Sequence, residues 1–366
     1  MEKKRSGRTD LWLLGSAVVL VFFGLVAIYD ASVVSAYRDF GDKFFYIKNQ
    51  LISASIGLLA LGFFSIVDYR RFLKLSPQFL LFCLVLLIAV LIPHIGTKIS
   101  GARRWINVGS FNFQPSELTK LALIFYQTSI MSKFENFKIR FSDTFLVFFL
   151  PALIASALVF LEPDFGTAII FIAVTMTVYF LSKAPIWHFL ISVPFILTGA
   201  VMAIIFEPYR FARLESFLDP TRDTQGASYQ INQILTAINR GGLLGVGIGQ
   251  SRSKFAFIPE VQTDAIFAII IEEIGTIGAL LLISVFVFML SRAITIAKSA
   301  DEPQGKLLAL GLIFLIIIQA LFNISSNVAL VPLTGVPLPF ISYGGTSLII
   351  MMSSVGILIN IGKQSK

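Results

Sequence analysis

Apolar runs and short polar breaks alternate along this chain at the spacing of a membrane. Stretches with almost no charge recur at about 11–35, 45–66, 78–95, 115–131, 143–161, 166–182, 186–206, 265–290, 307–331 and 340–361. Roughly 20 apolar residues in a helix cross the hydrocarbon core of a bilayer. The runs are too long for barrel strands and do not alternate in polarity, which excludes a transmembrane β-barrel. The pattern predicts an all-α, polytopic membrane protein with about ten transmembrane helices. It forms a single transmembrane domain over 1–366, with one long extracytoplasmic loop at 207–263. Within that loop, Ser228 to Arg240 reads as a short amphipathic helix.

Composition agrees. Hydrophobic residues make up 56% and charged residues 14%, with 36 phenylalanines and a mean hydropathy of +0.84. No soluble domain of this length looks like this. Met1–Asp10 is basic and precedes an apolar run about twice as long as a signal peptide's core, so it reads as an anchor that stays. Lys and Arg favour an inner N-terminus, through Lys3, Lys4, Arg5, Arg8, Arg70, Arg71, Lys74, Lys133, Lys138 and Arg140. Both termini are therefore expected in the cytoplasm. The net charge of +8 comes from membrane-flanking residues and carries no nucleic-acid signal. Cys83 is alone, which excludes a disulfide, and His94 and His188 have no metal-site spacing.

Polar residues inside or beside apolar runs are the candidates for chemistry, because the bilayer makes them expensive. Asp264 stands where a polar loop becomes a long apolar helix, with Glu272 and Glu273 further along. Gly101-Ala-Arg-Arg-Trp-Ile-Asn-Val-Gly-Ser sets a pair of guanidiniums, Arg103 and Arg104, beside an indole, an arrangement suited to an outward-facing pyrophosphate. Snorkelling to lipid phosphates is the plainer role for such arginines. Glu117 and Lys120 lie three apart on one helical face, either as a structural ion pair or beside a polar cavity. Asp164, in Glu162-Pro-Asp-Phe-Gly-Thr, reads as a helix cap more than as a catalyst. The long loop holds Arg210, Gln233 and the glycine-rich run Gly241–Lys254, whose glycines permit close backbone approach to a ligand. Three prolines between Val331 and Phe340 forbid a continuous helix, so this stretch, with Ser342, is expected to re-enter and line a site.

Taken in order, these motifs resemble the FtsW/RodA (SEDS) family of bacterial cell-wall proteins along nearly the whole chain. The carriers are Gly101-Ala-Arg-Arg-Trp-Ile, Gln114-Pro-Ser-Glu, Glu162-Pro-Asp-Phe-Gly-Thr, Tyr229-Gln, Pro259-Glu, Thr263-Asp264, Glu272-Glu-Ile-Gly and Leu338-Pro-Phe-Ile-Ser-Tyr-Gly-Gly. The resemblance implies polymerisation of lipid II, an undecaprenyl diphosphate-linked disaccharide peptide, on the outer face of the bacterial cytoplasmic membrane. It also implies a divalent cation (Mg²⁺ or Mn²⁺) and a class B penicillin-binding transpeptidase as partner. The family's catalytic aspartate falls on Asp264, although Gln262 and Ala265 replace the usual histidine and aromatic residue. Asp30 stands where a serine is usual.

Transfer from an α-linked diphosphate to a β-linked glycan inverts the sugar and needs one general base. Asp264 is expected in that role. Arg103, Arg104, Glu117, Lys120, Arg210, Gln233 and Ser342 are expected to bind substrate. The glycine-rich run at Gly245 resembles the division (FtsW-like) type, and Pro332–Pro339 resembles the elongation (RodA-like) type as much; the division branch is favoured. A lipid II flippase and a non-catalytic scaffold for the transpeptidase are the alternatives; the first needs a polar path to the inner face, the second tolerates loss of Asp264.

Overall fold

The computed structural model of the chain describes residues 9–99, 101–109, 111–134, 144–205, 208–219, 228–255 and 258–365. Lys3, Lys4, Arg5, Arg8, Lys138 and Arg140 of the orientation argument lie outside these residues, as does part of the long loop.

Each apolar run coincides with a helix. These are α1 (Leu11–Phe40), α2 (Phe45–Ile66), α4 (Ser76–Leu91), α5 (Pro115–Phe134), α6 (Thr144–Leu161, opening with a π-helical turn), α7 (Phe165–Leu181), α8 (Ile186–Ile205), α11 (Ile266–Ser299), α12 (Pro303–Asn327) and α13 (Gly345–Gln364). Short helices α3 (Tyr69–Lys74), α9 (Pro208–Leu218) and α10 (Tyr229–Gly241) complete the set. Among the described residues, six helices (α1, α2, α6, α11, α12 and α13) are long and apolar enough to cross a membrane. The amphipathic helix expected in the long loop is α10.

The helical architecture holds, with one local addition and one shifted boundary. Gly96–Ile99, Ala102–Val108 and Phe111–Phe113 (β1, β2, β3) form a small antiparallel sheet in the order β1-β2-β3. Alternating Thr, Arg, Ile and Val around Gly101 and Gly109 suit a hairpin ribbon, but the stretch is too short to show by periodicity. The last helix also begins at Gly345 rather than 340, because Phe340–Gly344 belong to a turn.

Local chemistry ends the helices. Asp10 caps α1 by accepting from the Leu13 amide, and Gly41, at φ 69°, closes it with an N–H bonded to the Tyr37 carbonyl. Asp164 caps α7 through the Thr167 amide and hydroxyl, as expected. Asp10 also pairs with Arg292 at 2.7 Å, tying the start of α1 to α11. At the same end, Arg70 joins Glu302 and Gln364.

Helix α13 is the central post, buried along nearly its full length, as an all-round apolar helix should be. Gly356 lets it lie against α2, since a Cβ there would stand 2.5 Å from the Leu61 carbonyl oxygen. Its polar side chains are satisfied locally: Ser353 and Ser354 donate to the carbonyls of Ile349 and Ile350, and Asn360 bridges the Ser65 carbonyl and the Tyr69 amide.

Candidate functional site

Asp264 ends the turn 258–265, just ahead of α11. Its amide and that of Thr263 both donate to the Glu260 carbonyl. Its own carbonyl accepts from two buried amide side chains, Asn323 at 3.0 Å and Asn327 at 2.8 Å. Asn323 also donates to the Val336 carbonyl at 2.9 Å, so one side chain holds the aspartate turn and the proline-broken segment together. Ser342 donates to the Thr263 carbonyl at 2.6 Å and accepts from the Leu338 amide, while the Tyr343 amide bonds the Gln262 carbonyl. Gln50 of α2 closes the frame on Ser342 and Gly344.

The segment 328–344 is non-helical, and Val336, Leu338, Phe340 and Ile341 are buried. Its freed backbone groups are taken up by these amides and hydroxyls, which is how broken backbone survives at membrane depth. The carboxylate of Asp264 lies against Gly335, where a Cβ would sit 3.5 Å from Oδ2. Burial pushes the Asp264 carboxyl up to about 6, a rise that Arg213 and Arg104 oppose and that Glu260 and Asp164 reinforce.

The expected arginines fare differently. A register shift opposite Thr97/Lys98 leaves Arg104 as the extra residue of a bulge in β2. Its guanidinium donates to the carbonyls of Glu162 and Pro163, fastening the α6–α7 turn beside Asp264. Arg103 is half-buried on the same strand and does not share that bond pair, so the expected paired fork is not formed as one unit. Arg210 is buried against Phe160, 3.5 Å from the ring centroid, and donates to the Phe160 carbonyl. The neighbour that sequence reasoning missed is Arg213, one turn further along α9, which donates to the Leu333 carbonyl and bears on the Asp264 charge. Gln233 is half-buried on α10.

Glu117 and Lys120 form a closed ion pair at 2.7 Å, with side chains 2% or less exposed, and Lys120 adds Gln319 of α12 at 3.1 Å. This is the structural ion pair, sealed inside the bundle. Gln319, Asn323 and Asn327 recur every four residues and so form one polar stripe along α12, running from Lys120 to the Asp264 carbonyl. Amides at that spacing in an apolar helix were the available signal.

Glu162, in the α6–α7 turn, is fully buried, and neither carboxyl oxygen has a hydrogen-bond partner. Burial and the nearby Asp164 push its carboxyl up to about 9, against the pull of Arg104, so it is neutral at pH 7.

The glycine-rich run approaches protein rather than a ligand. Helix α11 breaks at Gly275 (φ 69°), which frees backbone groups on either side. The amides of Val246 and Gly247 donate to the carbonyls of Glu272 and Glu273, and the amides of Thr276 and Ile277 donate to those of Gly242 and Leu243. Only glycine fits at 245 and 275: a Cβ would come within 2.1 Å of the Glu273 carbonyl oxygen and 2.3 Å of the Leu243 carbonyl oxygen. Beneath this joint Lys254 bonds Asp30 at 2.8 Å and Glu273 at 3.0 Å, and Ser251 donates to Glu272 at 2.6 Å. The acidic residue near the end of the first helix is thereby explained as the partner of Lys254.

Asn323→Leu leaves the Asp264 carbonyl its bond from Asn327 and takes the Asn323 bond from the Val336 carbonyl, so it is expected to cost about 1–3 kcal/mol for that one buried acceptor. Thermal unfolding in detergent checks this, and Asn323→Gln should recover part of the loss.

The family model described as cell cycle protein, FtsW/RodA/SpoVE, matches residues 11–366. Stage V sporulation protein E of Bacillus subtilis is 40% identical over 361 residues, covering 98% of both chains. The probable peptidoglycan glycosyltransferase FtsW of Trichlorobacter lovleyi is 37% identical, covering 99% of this chain and 95% of its own. Among solved structures, a chain of a peptidoglycan synthase complex coordinating polymerization and crosslinking superposes with TM-score 0.79 at 25% identity, over 98% of both chains. The rod shape determining protein RodA of Thermus thermophilus shares the fold with TM-score 0.71 at 23% identity, over 98% of this chain and 97% of its own.

Proposed function

This chain belongs to the FtsW/RodA/SpoVE family of cell cycle proteins, and on that footing we infer that it is a peptidoglycan glycosyltransferase with Asp264 as its base. It is a multi-pass membrane protein. The observation that carries the assignment is the frame around Asp264: two asparagines fix its carbonyl, while its carboxyl, raised to about 6, faces Gly335. A base poised near the working pH is what proton transfer requires.

In the proposed reaction a hydroxyl of the acceptor sugar attacks the anomeric carbon of a diphosphate-linked donor. Asp264 takes the hydroxyl proton as the new C–O bond forms. The bond from the anomeric carbon to the diphosphate breaks, and the electron pair leaves with the phosphate oxygen. Lipid II is the proposed donor. Arg213 and Arg104, which already act on the Asp264 charge, favour the departing anion. Among the described residues no three His, Cys, Asp or Glu side chains gather as a metal cage. A divalent cation would then be held by one carboxylate, with Asp164 as the proposed ligand, and by substrate phosphates, as is usual for Mg²⁺. It would supply charge neutralisation for the leaving diphosphate.

Both termini are proposed to be cytoplasmic, which puts Asp264 at the outer face. The family's FtsW and SpoVE relatives favour a role in division or sporulation over elongation. A transpeptidase that cross-links the polymer is the proposed partner, since the superposed synthase complex coordinates those two steps. The sealed Glu117–Lys120 pair does not open the polar path that a lipid transporter needs.

The test is polymerisation of purified lipid II by the full chain with Mn²⁺ or Mg²⁺ and the transpeptidase. Its pH profile should follow the base: kcat/KM falls about tenfold per unit below pH ~6 and levels off above it. A profile flat from pH 5 to 8 would remove Asp264 from the proton transfer.

A further inference from the structure

The turn that carries Asp264 opens on a strained residue. Glu260 has φ 49°, in the left-handed region that side chains other than glycine, asparagine and aspartate rarely enter. The bend lets Ile258 and Val261, on either side of Pro259 and Glu260, both reach the core. It also aims the Glu260 carbonyl along the turn, where it accepts three hydrogen bonds. These come from the Thr263 amide at 3.0 Å, the Asp264 amide at 3.3 Å and the Thr263 hydroxyl at 2.8 Å. The backbone of Asp264 is thus held on its amide side by Glu260 and on its carbonyl side by Asn323 and Asn327.

Glycine takes this conformation without strain, and the chain uses it so at Gly41, Gly101 and Gly335. A strained glutamate at the turn of a candidate base raises the question of what its side chain does. Glu260 is exposed on the wall of a cavity of about 350 Å³, with Arg38 and Asp39 of α1, Tyr46 of α2, and Lys254 and Gln262. Gln262 donates to Glu260 Oε2 at 3.5 Å, and the Gln262 carbonyl is held by the Tyr343 amide. Arg38 bonds Asp39, and Lys254 bonds Asp30 and Glu273. The Glu260 and Asp164 charges help Asp264 to hold a proton, against the pull of Arg213 and Arg104.

We propose that Glu260 is a positioning residue for the base: its left-handed backbone sets the turn that presents Asp264, and its carboxylate places a second negative charge near that of Asp264. A like charge nearby strengthens a carboxylate as a base. The proposal rests on the reading of Asp264 as the general base, and it gives Glu260 no part in the proton transfer itself.

The first readout needs no activity. It is thermal unfolding of the detergent-solubilised full chain and of Asp264→Asn across pH 4–8, each with and without Glu260→Gln. The gap between the paired chains follows the titration of Asp264. Glu260→Gln is expected to shrink that gap at pH 8 and to bring its onset down by roughly half a pH unit, the scale of one solvent-screened charge. Glu260→Asp keeps the charge and should restore it. In lipid II polymerisation the acid limb of kcat/KM should move down with Glu260→Gln and return with Glu260→Asp. The backbone is tested by alanine against glycine: Glu260→Ala keeps the strain, so it should unfold several degrees below Glu260→Gly. A gap that Glu260→Gln leaves in place, or a Glu260→Ala chain as stable as Glu260→Gly, overturns the proposal. If polymerisation titrates near pH 6 but does not move in Glu260→Gln, Glu260 loses this role and the base stands. If polymerisation is flat from pH 5 to 8, the base itself is removed, and the role of Glu260 falls with it even where the unfolding gap moves.

Discussion

Asp264→Asn is expected to lower lipid II polymerisation by about 10²–10⁴-fold, the usual contribution of a positioned general base. Asparagine keeps the size of the side chain and the backbone carbonyl that Asn323 and Asn327 hold, so the frame is not disturbed. It removes the capacity to accept a proton and the negative charge of the ionised carboxylate. Stability should move the opposite way. The folded-state value of about 6 is above the ordinary 3.8, so the neutral form is favoured by folding. That contribution is complete below the ordinary value and is lost as pH rises through about 6. Asparagine resembles the neutral acid, so the variant should unfold at a higher temperature than wild type at pH 8, with the gap closing towards pH 4. A variant that is inactive and more stable marks a group strained for function. Full polymerisation by a folded Asp264→Asn chain would move the base elsewhere.

Lys254→Met is the second large effect. The Lys254 side chain is 4% exposed and its ammonium is the shared partner of Asp30 and Glu273. Methionine fills the volume and leaves two carboxylates facing each other without a cation. Breaking a buried pair in this way costs about 3–5 kcal/mol, mostly from the charge left unpaired. The joint between the 242–255 run and the α11 break should loosen first, because the cluster lies beneath it. Thermal unfolding and hydrogen exchange at Val246 and Gly247 read this out. Adding Asp30→Asn and Glu273→Gln to Lys254→Met should recover much of the loss, since the repulsion goes with the charges. If the triple variant is no more stable than the single one, packing by the lysine stem matters more than its charge.

The apolar runs determined the helices, because in a membrane each span must satisfy its own backbone and advertises itself by length and lack of charge. They also singled out Asp264, Asp164 and the Glu117–Lys120 pair, since a charge in or beside such a run needs a reason. The motif order determined the family. What pairs with what was decided only in three dimensions. Asp30 and Lys254 are 224 residues apart, and Asn327 and Asp264 are 63 apart, so no local pattern joins them. Local chemistry did not distinguish Arg210 from Arg213, yet the fold sends one to Phe160 and the other to the Leu333 carbonyl, where its charge bears on Asp264. The glycines were legible as a place of close approach, but a sequence does not say whether the thing approached is a ligand or the chain's own broken helix. Here the break at Gly275 frees backbone groups of α11, and the glycine-rich run is what satisfies them.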